Sequence, residues 1–220
     1  MFKACIFDLD GVIVDTAKYH FIAWRRLANE LGFDFDEAFN ENLKGVSRMD
    51  SLNMILNLGN VTLSESEKVE WATQKNEWYK ELIGQMTADE ILPGVIPLFQ
   101  ALKANQIKIG LGSASKNAVP VLTKINFINQ FDTIVDGTKT TKPKPDPQVF
   151  LMGATNLGVQ PTEAIVFEDA AKGVTAANAG GFYSVGVGSP DSLGHANHVI
   201  SGMDEISFEK LVELTVGGWQ

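Results

Sequence analysis

Two carboxylates, Asp8 and Asp10, stand two residues apart at the end of an apolar run near the start of the chain. Residues 4–7 of that run are typical of a short buried strand, and residues i and i+2 of an extended chain project to the same face. Carboxylates held this close raise each other's proton affinity unless a cation neutralises them. Such a pair can supply one ionised nucleophile and one proton-carrying acid/base. A strand followed by an acidic turn explains the pair alone equally well.

Further polar side chains lie at or near the ends of later predicted strands. Ser113 ends one strand, Glu168 and Asp169 follow another, and Lys144 lies in a loop between strands. In an open parallel sheet, ligands bind beyond the carboxyl ends of the strands. We therefore expect these groups to converge with the first two carboxylates at one edge of a sheet. Glu168 and Asp169 could instead only begin a helix, where acids favour the macrodipole. Asp136 also follows a predicted strand and receives no role.

The elements that position these groups follow from the apolar pattern after Leu92-Pro93-Gly94, where helix and strand alternate. The predicted strands cover 107–113, 133–136, 164–167 and 183–187, and the predicted helices cover 95–104, 117–125, 147–157, 170–179 and 207–216. Asp146 is the predicted N-cap of the helix over 147–157. Apolar strands alternating with helices predict an α/β fold, a Rossmann-like doubly wound parallel sheet with helices on both faces.

Residues 16–83 show helical periodicity and no convincing strand. Helices are predicted from Tyr19 to Leu31, from Asp50 to Leu58, and from Ser64 to Ile83 with Glu67 completing a capping box. The last helix is expected to bury Val69, Ala72, Tyr79 and Leu82. Since the first strand belongs to the sheet, we predict a core domain of residues 1–15 and 84–220 interrupted by an inserted helical cap domain of residues 16–83.

Composition excludes several classes of partner. The formal net charge of −9 argues against nucleic acid and against an anionic membrane surface. No apolar run is long enough for a transmembrane helix, and the first residues do not form a signal peptide. Cys5 is the single cysteine, so no intrachain disulfide is possible, and we interpret it as a core residue. We expect a cytoplasmic monomer that acts on a small molecule.

The order of these motifs closely resembles the haloacid dehalogenase-like phosphotransferase superfamily, and within it the β-phosphoglucomutase group, from Phe2 to about Val187. The resemblance rests on Asp8-Leu9-Asp10-Gly11, the strand ending in Ser113, Lys144-Pro145-Asp146-Pro147 and Glu168-Asp169. It implies that Asp8 is the nucleophile that forms an aspartyl phosphate and that Asp10 is the acid/base. Ser113 and Lys144 would hold the transferring phosphate, although Lys142 also lies in a Lys-Pro pair and either lysine could be a solvated loop cation. The implied Mg²⁺ ligands are Asp8, Asp10 through its backbone carbonyl, Glu168 and Asp169.

The same resemblance implies a substrate-binding role for three segments. The loop Lys44, Gly45, Val46, Ser47 and Arg48 resembles the family's substrate-recognition loop, although a solvated loop would explain its charges. Thr16 would lie at the hinge, His20 would report substrate binding to the acid/base residue, and Lys75 would face substrate; a core histidine and a surface lysine are the alternatives. Apart from the resemblance, Ala114, Ser115, Lys116 and Asn117 extend the edge of the strand over 107–113 and could bind the non-transferring phosphate or only begin the next helix.

These features together predict a magnesium-dependent phosphomutase, an isomerase of carbohydrate metabolism. It would interconvert β-D-glucose 1-phosphate and glucose 6-phosphate through the aspartyl phosphate and a β-glucose 1,6-bisphosphate, while the cap excludes water. A magnesium-dependent sugar-phosphate phosphatase of the same superfamily is the alternative. A receiver-type phospho-acceptor module is less consistent with the large insertion and the paired aspartates, and a dehalogenase needs neither Asp10 nor magnesium. The tail Gly217–Gln220 receives no interpretation.

Overall fold

The computed structural model describes residues 2–216, so the tail beyond Val216 lies outside the described residues. The chain divides into two compact units, one formed by Met1–Asp15 with Thr87–Gln220 and the other by Thr16–Met86. The second unit interrupts the first unit eight residues after its opening strand and ends three residues beyond the boundary placed at Ile83. We refer to the two units as the core unit and the cap unit.

The core unit contains a parallel sheet of six strands in the order β3-β2-β1-β4-β5-β6. The strands are β1 (Ala4–Phe7), β2 (Lys108–Gly112), β3 (Thr133–Val135), β4 (Ala164–Glu168), β5 (Tyr183–Val187) and β6 (His198–Ile200). The predicted α/β class and doubly wound parallel sheet are confirmed. Strand β6 was not predicted, because three residues next to a polar turn give too short an apolar run to stand out.

The apolar composition of β1 explains its central place. All four of its residues are buried, as a strand covered by helices on both faces requires. The Phe7 ring stacks on Phe167 of β4 with centroids 4.7 Å apart and also contacts Phe99. Since β2 and β3 extend from one side of β1 and β4 to β6 from the other, the order reverses between β1 and β4. Crevices for ligands open at such reversals.

Helices of the core unit cover the sheet and are α5 (Val95–Ala104), α6 (Ala118–Lys124), α7 (Gln148–Leu157), α8 (Ala171–Ala179), α9 (Pro190–Leu193) and α10 (Phe208–Thr215). Short 3₁₀ turns lie at Ala88–Glu90, Ile128–Gln130, Pro161–Glu163 and Met203–Glu205. The four-residue α9 was not predicted. Pro147 rather than Asp146 occupies the N-cap of α7, although the Asp146 carboxylate does accept from the Gln148 amide at 3.0 Å.

The cap unit is helical, as its periodicity predicts. It contains α1 (Ala17–Glu30), α2 (Glu37–Asn40), α3 (Arg48–Leu58) and α4 (Glu65–Ile83), with a 3₁₀ turn at Glu41–Leu43. Ser64 and Glu67 form the predicted capping box at the start of α4. The prediction that Val69 is buried is wrong, since 57% of that residue is exposed, and Leu82 is only half-buried. Both lie beside the stripe of α4 that Ala72 and Tyr79 bury.

None of the helices described between residues 2 and 216 combines the length and the apolar character needed to cross a membrane.

Candidate active site

The first carboxylates of the candidate site lie at the reversal between β1 and β4. Asp8 directly follows β1, and its backbone amide donates to the Phe167 carbonyl of β4 at 2.9 Å. Glu168 is the last residue of β4 and is buried. The parallel register, in which Phe7 pairs with Phe167, therefore brings the two carboxylates to the same edge of the sheet.

The Asp8 carboxylate is held by two donors. Its Oδ1 accepts from the Lys144 ammonium at 2.7 Å, and its Oδ2 accepts from the backbone amide of Asp10 at 3.2 Å. Asp8 is 6% exposed, so these bonds fix its orientation with little competition from water. A carboxylate held in one orientation is the arrangement that a nucleophile for in-line displacement needs.

Lys144 links the two strand ends. Its buried ammonium is in contact with both Asp8 and the Glu168 carboxylate. Lys142, the other lysine of the Lys-Pro repeat, is exposed and forms a 3.5 Å ion pair with Asp146. The geometry thus places Lys144, and not Lys142, among the carboxylates.

Proton affinities in this cluster are strongly altered. Burial, followed by the charge of Asp8, raises the pKa of Asp10 to about 8. Burial also raises the pKa of Glu168 to about 7, although Lys144 opposes that shift. Burial lowers the pKa of Lys144, but Asp8 and Glu168 more than reverse this and keep it charged. Without further cations, Asp10 therefore carries a proton at neutral pH, which suits a general acid.

The carboxylates can also hold a metal ion. Ligand oxygens of Asp8, Glu168 and Asp169 all lie within 4.8 Å of one another. Hard oxygen donors of this kind suit Mg²⁺, which keeps some water and leaves positions for substrate phosphate. Lys144 alone does not balance the carboxylates of Asp8, Glu168 and Asp169. A divalent cation would balance the remaining negative charge. The donor set thus fits the magnesium ion that the sequence implies.

A chain of hydroxyl-based turns follows β2. The buried Ser113 accepts through Oγ from the Ser115 amide at 3.1 Å, and Ser115 Oγ accepts from the Asn117 amide at 3.2 Å. Ala114 and Lys116 are exposed between them, and Asn117 is the N-cap residue of α6. This segment begins at the same sheet edge as the carboxylates, since β2 pairs with β1.

Within the cap unit, α1 and α4 build a second polar cluster. Lys75 is 2% exposed, and its ammonium lies 2.8 Å from His20 Nδ1 and 4.2 Å from the centre of the Trp24 ring. The His20 ring stacks on Tyr79, and burial together with Lys75 lowers its pKa well below the usual value. Interpreting Lys75 as a surface residue is therefore wrong, and Trp24 is a member of this cluster that the sequence did not identify as a site residue.

The recognition loop belongs to the same unit. Arg48 Nη2 donates to Asn76 Oδ1 at 2.7 Å, which ties the start of α3 to α4. Ser47 is the N-cap of α3, and its hydroxyl also donates to Asp50 at 2.6 Å. Before it, the half-buried Lys44, Gly45 and Val46 form a turn in which Gly45 has a φ of 65°, and Lys44 pairs with Glu41 at 2.8 Å. The loop is therefore a hydrogen-bonded turn with half-buried residues rather than a fully solvated loop.

Thr16 and Asp136 are two further buried polar residues, one at the start of the cap unit and one after β3. The buried Thr16 precedes α1, and its carbonyl accepts from the amides of Tyr19 and His20. Asp136 is also buried, and its Oδ1 accepts from the Thr138 amide at 3.0 Å and hydroxyl at 2.5 Å. Asp136 therefore shapes the loop after β3, a role that its position after a strand does not by itself reveal.

The fold and the site together define a class of protein. The model of the haloacid dehalogenase-like hydrolases matches residues 2–181, and the chain belongs to that family. A β-phosphoglucomutase from Bacillus subtilis is 42% identical over 96% of this chain and 94% of its own length. A crystal structure of β-phosphoglucomutase from Clostridium difficile superposes with a TM-score of 0.93 at 48% identity and covers 97% of both chains. A phosphorylated carbohydrates phosphatase from Thermotoga maritima is 30% identical over 81% of this chain and 82% of its own.

Proposed function

We propose that this chain is a β-phosphoglucomutase, which interconverts β-D-glucose 1-phosphate and glucose 6-phosphate by way of β-glucose 1,6-bisphosphate. The observation that carries the proposal is the buried ion cluster in which Lys144 joins Asp8 and Glu168 at the β1–β4 reversal. The two β-phosphoglucomutases at 42% and 48% identity over nearly the whole chain support the same activity.

Asp8 is the nucleophile in this proposal. A carboxylate oxygen of Asp8 forms a bond to the phosphorus of the bisphosphate while the bond from phosphorus to the sugar oxygen breaks. Asp10, protonated at neutral pH because its pKa is raised to about 8, gives its proton to that leaving oxygen. The products of this half-reaction are phospho-Asp8, ionised Asp10 and a sugar monophosphate.

The second half-reaction uses the same residues in reverse. Ionised Asp10 removes the proton from the C6 hydroxyl of β-D-glucose 1-phosphate, whose oxygen attacks phospho-Asp8. The bond from Asp8 to phosphorus breaks and β-glucose 1,6-bisphosphate forms. When the bisphosphate then donates its C1 phosphate to Asp8, glucose 6-phosphate is released.

The cation that this chemistry needs is Mg²⁺ in our proposal. Asp8, Glu168 and Asp169 would hold it, together with the backbone carbonyl of Asp10. When bound, it supplies positive charge for the transferring phosphate. Lys144 and the Ser113 hydroxyl add donors for the equatorial phosphate oxygens, where charge develops during transfer.

The remaining predicted residues supply specificity in the same proposal. Arg48 offers a planar fork for the phosphate that is not transferred, and Lys75 a compact charge beside His20. The loop Lys44, Gly45, Val46 and Ser47 shapes the approach to the sugar, and Thr16 lies where the cap unit begins. The segment Ala114, Ser115, Lys116 and Asn117 follows β2, and in this proposal its Lys116 provides a cation for a phosphate.

The testing experiment is ³¹P NMR of the protein with Mg²⁺ and β-D-glucose 1-phosphate, primed with a trace of β-glucose 1,6-bisphosphate. We expect glucose 6-phosphate from the β-anomer, no turnover of the α-anomer, and little free phosphate. The Asp10→Asn variant should lose at least about 100-fold in rate, because proton transfer by a positioned acid/base contributes at least that factor.

The competing activity is hydrolysis of a sugar phosphate, as the name of the Thermotoga maritima relative describes for that protein. In that case water instead of the sugar hydroxyl attacks phospho-Asp8. Free phosphate as the main product, independent of the bisphosphate primer, would contradict the mutase proposal and identify a phosphatase that uses the same core residues.

A further inference from the structure

Gly173 lies in the first turn of α8, directly against the carboxylate of Glu168. A methyl group built on its Cα would overlap Oε1 and Cδ of Glu168 and would lie 2.5 Å from Oε2. Real Cβ atoms essentially never approach a non-bonded heavy atom more closely than 3.0 Å. The carboxylate therefore occupies the space that a side chain at position 173 would fill.

The Glu168 carboxylate is fixed in this space from its other sides. Its Oε2 accepts from the Ala170 amide at 2.8 Å, and its Oε1 contacts the Lys144 ammonium. Glu168 is 1% exposed, so it has little room to swing to another rotamer. A methyl group at position 173 would displace the carboxylate from this position, and so would disturb both hydrogen bonds and the acidic cluster that it forms with Asp8 and Asp169.

The sequence of α8 makes this glycine unusual. Its nine residues include four alanines, at positions 171, 176, 177 and 179, so the helix favours alanine wherever a small side chain is needed. Glycine inside a helix costs about 1 kcal/mol relative to alanine. The φ of Gly173 is not among the positive values, so its backbone conformation does not call for glycine. The contact with the Glu168 carboxylate is the feature that explains the glycine.

We propose that Gly173 is a positioning residue that sets the Glu168 carboxylate among the metal ligands and thereby determines the affinity of the site for Mg²⁺. This inference rests on the proposed metal site but not on whether the phosphoryl group passes to sugar or to water. Gly11 forms the same kind of contact with Asp169, since a methyl group there would lie 2.9 Å from Asp169 Cβ and closer still to its carboxylate. Because Gly11 has a φ of 72°, its substitution would strain the backbone as well, so Gly173 provides the cleaner test.

The first experiment compares Gly173→Ala with Gly153→Ala by titrating each protein with Mg²⁺ in a calorimeter. Gly153 is a helical glycine of α7 whose added methyl group would first meet the end of the Ile6 side chain, at 3.2 Å. We expect Gly173→Ala to weaken Mg²⁺ binding by about 10- to 100-fold, the effect typical of residues that orient a ligand. Gly153→Ala should bind Mg²⁺ like the unsubstituted protein. Unchanged or tighter Mg²⁺ binding by Gly173→Ala would overturn the proposal.

A second pair of variants separates positioning from damage to the helix. Glu168→Asp shortens the side chain by one methylene and withdraws the carboxylate from position 173. Adding Gly173→Ala to Glu168→Asp should therefore change Mg²⁺ affinity and thermal unfolding much less than it does beside the native glutamate. Gly173→Ala could lower Mg²⁺ affinity and stability as much in the Glu168→Asp background as beside the native glutamate, or both variants could fail to fold. Either result would mean that the glycine is needed for the packing of α8 and not for the position of the carboxylate. Both readouts are binding and unfolding, so loss of the mutase activity cannot be mistaken for failure of this inference.

Discussion

At the scale of single residues, the buried carboxylates of the active site carry negative charge that Lys144 balances in part. Lys144 is the buried cation that contacts both Asp8 and Glu168, and their charges in turn raise its pKa. Buried charges are tolerated when they are paired, and removal of one partner leaves the others uncompensated. The same ammonium orients the proposed nucleophile. Lys144 should therefore influence both stability and catalysis.

Replacement of Lys144 tests this double role. We expect Lys144→Ala to lower the free energy of unfolding of the metal-free protein by about 3 kcal/mol, since it leaves two buried carboxylates without their cation. The rate of phosphoryl transfer should fall at least about 100-fold, as when a preorganised charge donor is removed. Lys142→Ala is the matched control, because that lysine forms an exposed pair. Its free energy of unfolding should change by less than about 0.5 kcal/mol. Denaturant melts and initial rates measure both, and equal effects of the two variants would contradict the assignment.

A second residue-scale prediction concerns pH. Among the proposed side-chain ligands, Glu168 has a pKa raised to about 7, so it holds a proton at pH 6 in the metal-free protein. A metal ion favours the ionised form of its ligand and must displace this proton. The apparent affinity for Mg²⁺ should therefore rise from pH 6 to pH 8, and binding should release protons. Calorimetry in buffers of different ionisation enthalpy measures the release, and an affinity that falls with pH would contradict the prediction.

At the scale of elements, the sequence predicts the strands and long helices well because each one is an apolar pattern of its own. Strand ends shift by at most one residue, and the acidic residues and Ser113 were found because they lie at or just after the ends of β1, β2 and β4. Burial that depends on a second element was not predictable. Lys75 is covered by the rings of Trp24 and Tyr79. Because Trp24 lies on α1, the pattern of α4 alone does not predict this burial. Gly173 was also missed, because its neighbour Glu168 lies on a different element.

The start of α4 provides the prediction at this scale. The Ser64 hydroxyl accepts from the Glu67 amide, and the Glu67 carboxylate accepts from the Ser64 amide at 2.7 Å. Ser64→Ala should destabilise the protein by about 1 kcal/mol at neutral pH, whereas Ser64→Thr retains the hydroxyl and should lose much less. Hydrogen bonds from Ser64 lower the pKa of Glu67, so their stabilisation is present above its ordinary pKa and is lost as the pH falls through the lowered value. Denaturant melts should show the Ser64→Ala deficit shrinking on acidification, and a deficit independent of pH would contradict the reciprocal bonding.

At the scale of the whole molecule, the core unit holds together the two chain segments between which the cap unit is inserted. Val14 and Ile91 form an antiparallel bridge, and the Leu92 amide donates to the Ile13 carbonyl at 2.9 Å. These contacts belong to the core unit itself. All six strands and the residues Asp8, Lys144, Glu168 and Asp169 belong to it as well. The core unit therefore contains a complete sheet and a complete set of candidate metal ligands.

This division leads to a prediction about a chain in which residues 16–86 are replaced by a short Gly/Ser linker. Closing a short loop between ends that the core already holds together costs little entropy, so we expect the shortened chain to unfold cooperatively. Mg²⁺ should still bind, because its proposed ligands are all retained, while the mutase reaction should be lost along with Arg48, Lys75 and His20. Any remaining turnover should release free phosphate, since phospho-Asp8 would then have only water as acceptor. Circular dichroism, Mg²⁺ calorimetry and ³¹P NMR measure these outcomes. A shortened chain that folds but no longer binds Mg²⁺ would mean that the metal site depends on the cap unit, and one that still isomerises the sugar phosphate would mean that specificity lies in the core.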